Sequence, residues 1–402
     1  MMWTLFCKEC KQVLKSLVYY IYLVAYVLFI TSQMGGSEWI NELKEPQPGQ
    51  ENYGYGPTTD RQIIMESGIE ELYAEISRGV FSSYPYGFYK GVTLNGEELK
   101  ELTDALEDCT GKTFEELDAI CTEYWLPSEG QTSTYEEYLK WEMGWHIPIR
   151  EDYTYEEFEK LMQRASQLIG RGSNYEAAAY ESAAMQPLTY EDAMANYRDL
   201  CEKDKVSGAQ MRLFCDYSGV FLAVLPIFMG VFACLRDKRA KAAEVIYSKQ
   251  VSGMALMFSR YLANVVMMFL PIVLCALLIQ MPCVYEATRL GIAADGLAFL
   301  KYSVLWLLPL LMFVLAVAFL VTETTENLLA IPIQVIWGFG SIISVTSLVG
   351  NFGWKLVVRW NEFGGYSDYA AEVKQLYLNR GLYAVFAVVC ILLTAVVYEK
   401  KR

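Results

Sequence analysis

Two short stretches carry residue types that could do enzyme chemistry, and neither supports it. His146 is the only histidine in the chain, which largely excludes a catalytic triad, a two-histidine zinc site and a histidine proton relay. The stretch from Gly111 to Thr113 resembles the end of a phosphate-binding loop, but Leu106 stands where that loop requires glycine. We therefore expect no catalytic residues, no bound metal and no ATP hydrolysis by the chain itself.

A strongly charged segment, residues 236–260, is the most informative part of the sequence. Its apolar residues Ala242, Val245 and Ile246 fall at helical spacing, which predicts a basic amphipathic helix. Such a helix can rest on a lipid surface, or it can act as a lever that receives force from a partner protein. Its candidate functional residues are Arg236, Asp237, Lys238, Arg239, Lys241, Glu244, Lys249, Ser252 and Arg260.

Four of the ten cysteines lie in an acidic region of the chain and could form disulfides. The short separations favour Cys109 with Cys121 and Cys201 with Cys215. Four cysteines allow three connectivities, and free thiols are a further alternative. The pairing is therefore a prediction that depends on an oxidising compartment.

The elements that position these residues are predicted to cross a membrane. The chain is 54% hydrophobic with a mean hydropathy of +0.20, yet 20% of its residues are charged, which indicates apolar spans joined to a polar insert. Six stretches are long enough to span. We predict an all-α membrane protein with six transmembrane helices, at Leu17–Ser32, 217–235, 261–283, 302–322, 328–349 and 382–398.

Basic residues beside the spans predict the orientation. The three clusters are Lys8, Lys11 and Lys15, then the 236–260 segment, then Lys400, Lys401 and Arg402. Six crossings put all three clusters on one side of the membrane, which we predict to be the cytoplasmic side. The protein is thus predicted to be a multi-pass protein of the cell membrane. The first span could be a cleavable signal peptide, but no small-x-small site follows Phe29, so we expect an uncleaved anchor.

Residues 34–215 are predicted to form a mainly helical extracytoplasmic domain between the first and second spans. They hold about 35 of the 47 acidic and about 15 of the 33 basic residues, which argues against nucleic acid as a partner. Four threonines each precede an acid by three residues, which is typical of helix starts. The pairs are Thr113 with Glu116, Thr134 with Glu137, Thr154 with Glu157 and Thr189 with Asp192, and Gly170 and Gly172 are predicted to stop the third helix.

Two further expectations concern the ends of the spans and the loop before the last span. The aromatic residues Trp354 and Trp360 suggest a short interfacial or re-entrant helix in residues 350–381, with a solvated loop as the alternative. Arg260 and Glu323 lie near span ends, where we expect their side chains to extend toward water.

The segment from residue 236 to residue 260 resembles the coupling segment of ABC-2 type transporter permeases. In that family an acid is followed by a small-residue turn and by a basic residue that enters the next helix, and Glu244, Ser252 and Arg260 match this pattern. The six-span count and the cytoplasmic termini are also similar. The resemblance covers residues 216–402 and also the first span, which lies in the N-terminal region 1–33. The acidic insert departs from many members.

The resemblance implies a permease subunit that exports a peptide, a lipid-like molecule or another amphiphile. It also implies a second permease subunit, identical or homologous, and separate ABC ATPase subunits that dock on residues 236–250. ATP and Mg²⁺ would be bound by those partners and no cofactor by this chain. The main rival is a membrane-anchored sensor or mechanotransmission subunit with little transport of its own. An adhesion-like protein is a third alternative.

Overall fold

The computed structural model describes residues 2–36, 38–50, 52–85, 89–125, 147–241, 252–343 and 355–401. Several predicted features lie outside the described residues. They are His146, the helix start at Thr134, the amphipathic segment with Glu244 and Lys249, and the end of the 328–349 span.

The chain folds as two compact units. One is Gln47–Ala193, called here the inserted unit, and the other combines Met1–Pro46 with Met194–Arg402 and is called the membrane unit. The sequence predicted a wider insert, residues 34–215. Both edges of the inserted unit lie inside that range. After its C-terminal edge, the second span begins at Ser207, ten residues before the predicted start.

Helices dominate both units. In chain order the elements are α1 (Met2–Leu14), α2 (Leu17–Met34), β1 (Tyr55–Pro57), α3 (Arg61–Arg78), β2 (Phe81–Ser83), β3 (Lys90–Val92), α4 (Gly96–Thr110), α5 (Phe114–Trp125), α6 (Tyr155–Ile169), α7 (Ala177–Ala183), β4 (Met185–Pro187), α8 (Tyr190–Arg198), α9 (Ser207–Val224), α10 (Pro226–Arg239), α11 (Gly253–Arg289), α12 (Ala298–Tyr302), α13 (Leu308–Thr325), α14 (Ala330–Ile343) and α15 (Tyr366–Lys401).

Five helical stretches in the described part of the chain are long and apolar enough to cross a membrane: Leu17–Met34, Ser207–Arg239, Gly253–Arg289, Ala298–Thr325 and Tyr366–Lys401. Rows of exposed leucine and valine on α2, α11 and α15 are typical of lipid-facing surfaces. The predicted 328–349 span corresponds to the shorter helix α14. The structure therefore supports a multi-pass membrane protein and does not confirm six crossings.

Two of these stretches are interrupted at prolines. Leu225 separates α9 from α10, which begins at Pro226, because a proline ring is best accommodated in the first turn of a helix. A π-helical turn, Ser303–Leu307, joins α12 to α13 just before Pro309. Single π turns are often found at functional sites. This one places Trp306 in the core of the membrane unit.

Residues 355–365 run through the membrane unit without forming a helix, and their first four residues are buried. Side chains from two spanning helices bind the backbone of this segment. The Asp216 carboxylate accepts the N–H groups of Trp360 and of the next residue (2.9 and 2.8 Å), and Arg380 Nη1 donates to the Leu356 carbonyl (2.9 Å). Irregular backbone at membrane depth needs such internal partners. Among the described residues of the 350–381 region, 355–365 are non-helical and those from Tyr366 onward belong to α15, so a separate short helix is not seen there.

The inserted unit has its own hydrophobic core, built by α3 to α7 around residues such as Leu72, Leu106 and Phe158. Strand β1 pairs antiparallel with β4, and β2 with β3. The predicted mainly helical fold is confirmed, but the sequence did not predict these four strands. The strands have only three residues each, so they are too short for an alternating pattern to reveal them.

The predicted helix starts are confirmed wherever the structure describes them. Glu157 accepts the Thr154 backbone N–H (2.8 Å) while the Thr154 hydroxyl accepts the Glu157 N–H (3.3 Å), which is a capping box. The same reciprocal bonds link Thr113 to Glu116 and Thr189 to Asp192.

The four candidate disulfide cysteines are free thiols in the structure. Cys109 and Cys121 are buried in the core of the inserted unit, where Cys109 donates to the Leu106 carbonyl. Cys201 follows α8 and Cys215 lies in α9, so both belong to the membrane unit. The structure therefore does not support the predicted pairing.

We expect all four of these thiols to react with a maleimide when the full-length protein is unfolded without reductant. In the folded protein Cys109 should react slowly, because burial raises the pKa of its thiol to about 12 and the thiolate is the reactive form. Mass mapping of the labelled peptides checks this. Prior reduction should leave the labelled fraction unchanged, and a cross-linked peptide containing Cys109 and Cys121 would contradict the prediction.

Candidate coupling site

Charged side chains from both ends of the chain meet at one end of the membrane unit. We call this end the terminal face; it is formed by α1, the last turn of α10, the first turns of α11, the end of α13 and the end of α15. Arg260 is at its centre and only 1% of its surface is exposed. Its Nη2 donates to Asp237 Oδ2 (2.6 Å), its Nη1 reaches the Ala233 carbonyl (3.4 Å), and its Nε lies 3.6 Å from Glu9 Oε1.

Glu9 connects the same arginine to α1. Both of its carboxylate oxygens accept from the Arg236 guanidinium, each at 2.9 Å, which is the bidentate geometry that makes such pairs strong. The Glu9 side chain is buried, whereas that of Arg236 is 31% exposed. Sequence reasoning missed Glu9. The signal that could have found it is the amphipathic pattern of Met2–Leu14, in which a single acid interrupts a basic helix.

A second set of ion pairs ties α10 to the end of the chain. Glu326 directly follows α13 and accepts from Lys238 Nζ (2.8 Å) and from Lys401 Nζ (2.7 Å). These two lysines hold the pKa of the Glu326 carboxyl at about 2, well below its usual range. Lys401 also donates to the Glu323 carbonyl. Because Glu326 is half-exposed, each pair contributes little stability alone, and their joint effect is to fix three helix ends together.

The start of α11 is held by the last helix. Glu399 Oε1 accepts the backbone N–H groups of Gly253 (2.5 Å) and Met254 (3.3 Å). A carboxylate at a helix N-terminus satisfies otherwise unpaired N–H groups and complements the helix dipole. A Cβ on Gly253 would lie 2.7 Å from a ring atom of Tyr398, so this approach requires glycine or a shift of the ring. Beside these contacts is a cavity of about 410 Å³ whose lining includes Arg260, Glu323 and Lys401.

A family model described as ABC-2 family transporter protein matches residues 151–361, more than half of the chain. The chain belongs to this ABC-2 family. The comparison with curated proteins and the comparison with solved structures gave no match. The match starts inside the inserted unit, at residue 151, and ends in the 355–365 segment. It includes residues 151–215, which the resemblance seen in the sequence, covering the first span and residues 216–402, left out.

An ABC-2 permease is a membrane transport subunit, and ATP hydrolysis takes place in a separate nucleotide-binding subunit. Among the described residues, no group of three or more His, Cys, Asp or Glu side chains could hold a metal ion. Charged contacts through Arg260 join α1, α10 and α11, and those through Glu326 join the ends of α10, α13 and α15.

The structure brings together some of the predicted coupling residues of the ABC-2 permease and leaves others apart. Arg236, Asp237, Lys238 and Arg260 take part in the charged contacts described above. Arg239 is exposed and lies over the Phe232 ring, 4.3 Å from its centre. Lys241 has a left-handed backbone conformation, and Ser252 precedes α11 without a side-chain cap. The expectation that Arg260 extends toward water was wrong, because two carboxylates compensate its charge inside the protein.

Proposed function

We propose that this ABC-2 permease exports a peptide, a lipid-like molecule or another amphiphile, driven by ABC ATPase subunits that bind at the terminal face. In this proposal both chain termini are cytoplasmic, the inserted unit lies outside, and a second permease subunit completes the transporter. The positive charge around residues 236–260 and at the C-terminus supports this orientation. ATP and Mg²⁺ would be bound by the partner ATPase.

The observation that carries the proposal is the charged network on both sides of residues 242–251. Arg236 and Asp237 precede this segment, Arg260 follows it, and all three are joined to Glu9 or to each other. A force applied to the segment would therefore reach α1, α10 and α11 together. Such a shared response is what a segment that receives motion from an ATPase requires.

We expect an ABC ATPase to co-purify with the full-length protein in mild detergent, and we expect the double substitution Lys241→Glu and Lys249→Glu to reduce the bound ATPase by roughly tenfold or more. Reversal of charge at a docking surface replaces attraction with like-charge repulsion. Quantitative mass spectrometry of the partners measures the loss. Lys301→Glu, at the start of a different span, is the matched control and should retain the ATPase.

Unchanged recovery of the ATPase in the double variant would rule out docking on this segment. Export is judged separately, with the ATPase and the permease in sealed vesicles and cell extract as the source of cargo. Cargo-stimulated ATPase activity with vectorial movement supports the exporter. Stimulated activity without movement would instead favour a sensor or mechanotransmission subunit.

A further inference from the structure

Arg380 is the one buried arginine in the described residues whose charge no carboxylate compensates. Three arginines there have 3% or less of their surface exposed. Arg212 is paired with both oxygens of Asp204, and Arg260 with Asp237 and Glu9. Arg380 makes no ion pair with any described residue, and its single hydrogen bond goes from Nη1 to the Leu356 carbonyl. This chain otherwise places an acid beside a buried guanidinium, so the exception needs an explanation.

The surroundings of Arg380 do not supply a negative charge. The ionisable side chains that interact with it electrostatically are Tyr383 and Cys215, which are ordinarily neutral at pH 7. A buried charge without a partner is costly, and an ionisable residue inside the membrane is by default a candidate functional site. An anion that is not part of this chain would remove the cost.

Two nitrogens of Arg380, Nε and Nη2, have no hydrogen-bond partner in the part of the chain that the structure describes. They form the side of the guanidinium that binds a carboxylate or phosphate with two parallel bonds. The same two nitrogens of Arg164, in the inserted unit, bind both carboxylate oxygens of Glu101 at 2.6 and 2.9 Å. Arg380 thus keeps open the edge that Arg164 uses for an anion.

Two further buried hydrogen-bond donors have no partner among the described residues. Tyr383 is one helical turn after Arg380 on the same face of α15, and its buried hydroxyl is unpartnered. The indole N–H of Trp306 is also buried and unpartnered, on the π turn that packs against α15. The guanidinium and the Tyr383 hydroxyl thus offer hydrogen-bond donors on one face of α15 beside a positive charge, which suits an anion.

We propose that Arg380 and Tyr383 bind the anionic headgroup, a phosphate or a carboxylate, of the amphiphilic cargo that the permease moves. This inference rests on the proposed export function and names the chemical class of its cargo. Arg380 also holds the 355–365 segment through Leu356, so cargo binding and the position of that segment depend on the same guanidinium. Residues 355–358 of this segment are buried, so the guanidinium and the segment lie together inside the membrane unit.

The test titrates the full-length protein, in phosphatidylcholine nanodiscs, with dodecyl phosphate, dodecanoate and neutral dodecyl maltoside while tryptophan fluorescence is recorded. We expect saturable binding of at least one anionic probe and none of the maltoside. Arg380→Met should weaken that binding by roughly tenfold or more, and Arg380→Lys by less. Arg289→Met, which removes an exposed arginine elsewhere in the membrane unit, should bind like the wild type.

Tyr383→Phe guards against a folding defect, because it removes only the unpartnered hydroxyl and should weaken binding a few-fold. A purely structural role of Arg380 predicts a lower unfolding temperature in Arg380→Met with unchanged affinity in the folded fraction. That result, or unsaturable binding by the wild type, would overturn the proposal. Preference for one probe separates phosphate from carboxylate cargo. Vectorial movement of cargo in the sealed vesicles described above, measured with Arg380→Met as well as the wild type, tests the export function independently of this site.

Discussion

Replacement of Arg260 with alanine is expected to uncouple ATP hydrolysis from transport. It should also destabilise the membrane unit by about 3–5 kcal/mol, which is the usual cost of removing one partner from a buried ion pair. The substitution leaves Asp237 and Glu9 without their shared cation, and Glu9 is itself buried. The end of α10, the start of α11 and α1 would then lose their common contact. Vesicles with the partner ATPase measure coupling, and thermal unfolding in the same lipid measures stability.

Arg239→Ala is the matched control for this variant. Arg239 is a neighbouring arginine at the end of α10, but it is exposed and its contact is a cation–π interaction with Phe232. Its loss should cost less than about 1 kcal/mol of stability, so it controls for the stability effect of removing an arginine at this face. A double-mutant cycle with Asp237→Asn isolates the pair, because only residues in contact show a coupling energy. Additive effects of the two substitutions, or full coupling in Arg260→Ala, would remove the network from the mechanism.

Arg260 also shows which part of this site the sequence could predict. Its position at the start of a span, after a charged segment, was enough to select it as a coupling residue. Its environment was not predictable from local pattern, because Glu9 is 251 positions away and such a pairing depends on the tertiary fold. Reasoning from span position alone favoured contact with water, whereas the observed solution is an internal salt bridge.

The inserted unit gives the complementary result. Helix starts such as Thr154 with Glu157 were predicted because a capping box is formed by residues only three positions apart. The strands and the edges of the inserted unit were not predicted, because they depend on residues far apart in the sequence. Strand pairing, for example, joins Tyr55 to Pro187 across most of the unit. Local chemistry therefore fixed the helices, and long-range contacts fixed the strands and the edges of the unit.

Gly172 illustrates the same difference, because its role is larger than the helix stop predicted from the sequence. Helix α6 already ends at Ile169, and Gly172 has a φ of +80°. Its carbonyl accepts the Tyr84 N–H (2.7 Å), so the two backbones are in direct contact. A Cβ at this position would lie 2.4 Å from the Tyr84 carbonyl carbon and 2.7 Å from the Pro85 nitrogen. These are backbone atoms that cannot move aside as a flexible side chain can.

We therefore expect Gly172→Ala to destabilise the inserted unit by about 2–4 kcal/mol, through an unfavourable φ and a backbone clash. Hydrogen exchange of the full-length protein in nanodiscs should show faster exchange in α3, whose residues belong to the core of the inserted unit, and unchanged exchange in α13.

Gly79→Ala separates the two causes of that destabilisation. Gly79 has a φ of +65°, but no atom lies within 4 Å of the position that its Cβ would take. The Gly79→Ala substitution should therefore lower the stability of the inserted unit by only about 1 kcal/mol, which is the strain of the backbone alone. Equal losses in the two variants would mean that the contact with Tyr84 contributes nothing. Each hydrophobic core should protect only the helices of its own unit. Faster hydrogen exchange in α13 of the Gly172→Ala variant would therefore mean that the two units do not unfold separately.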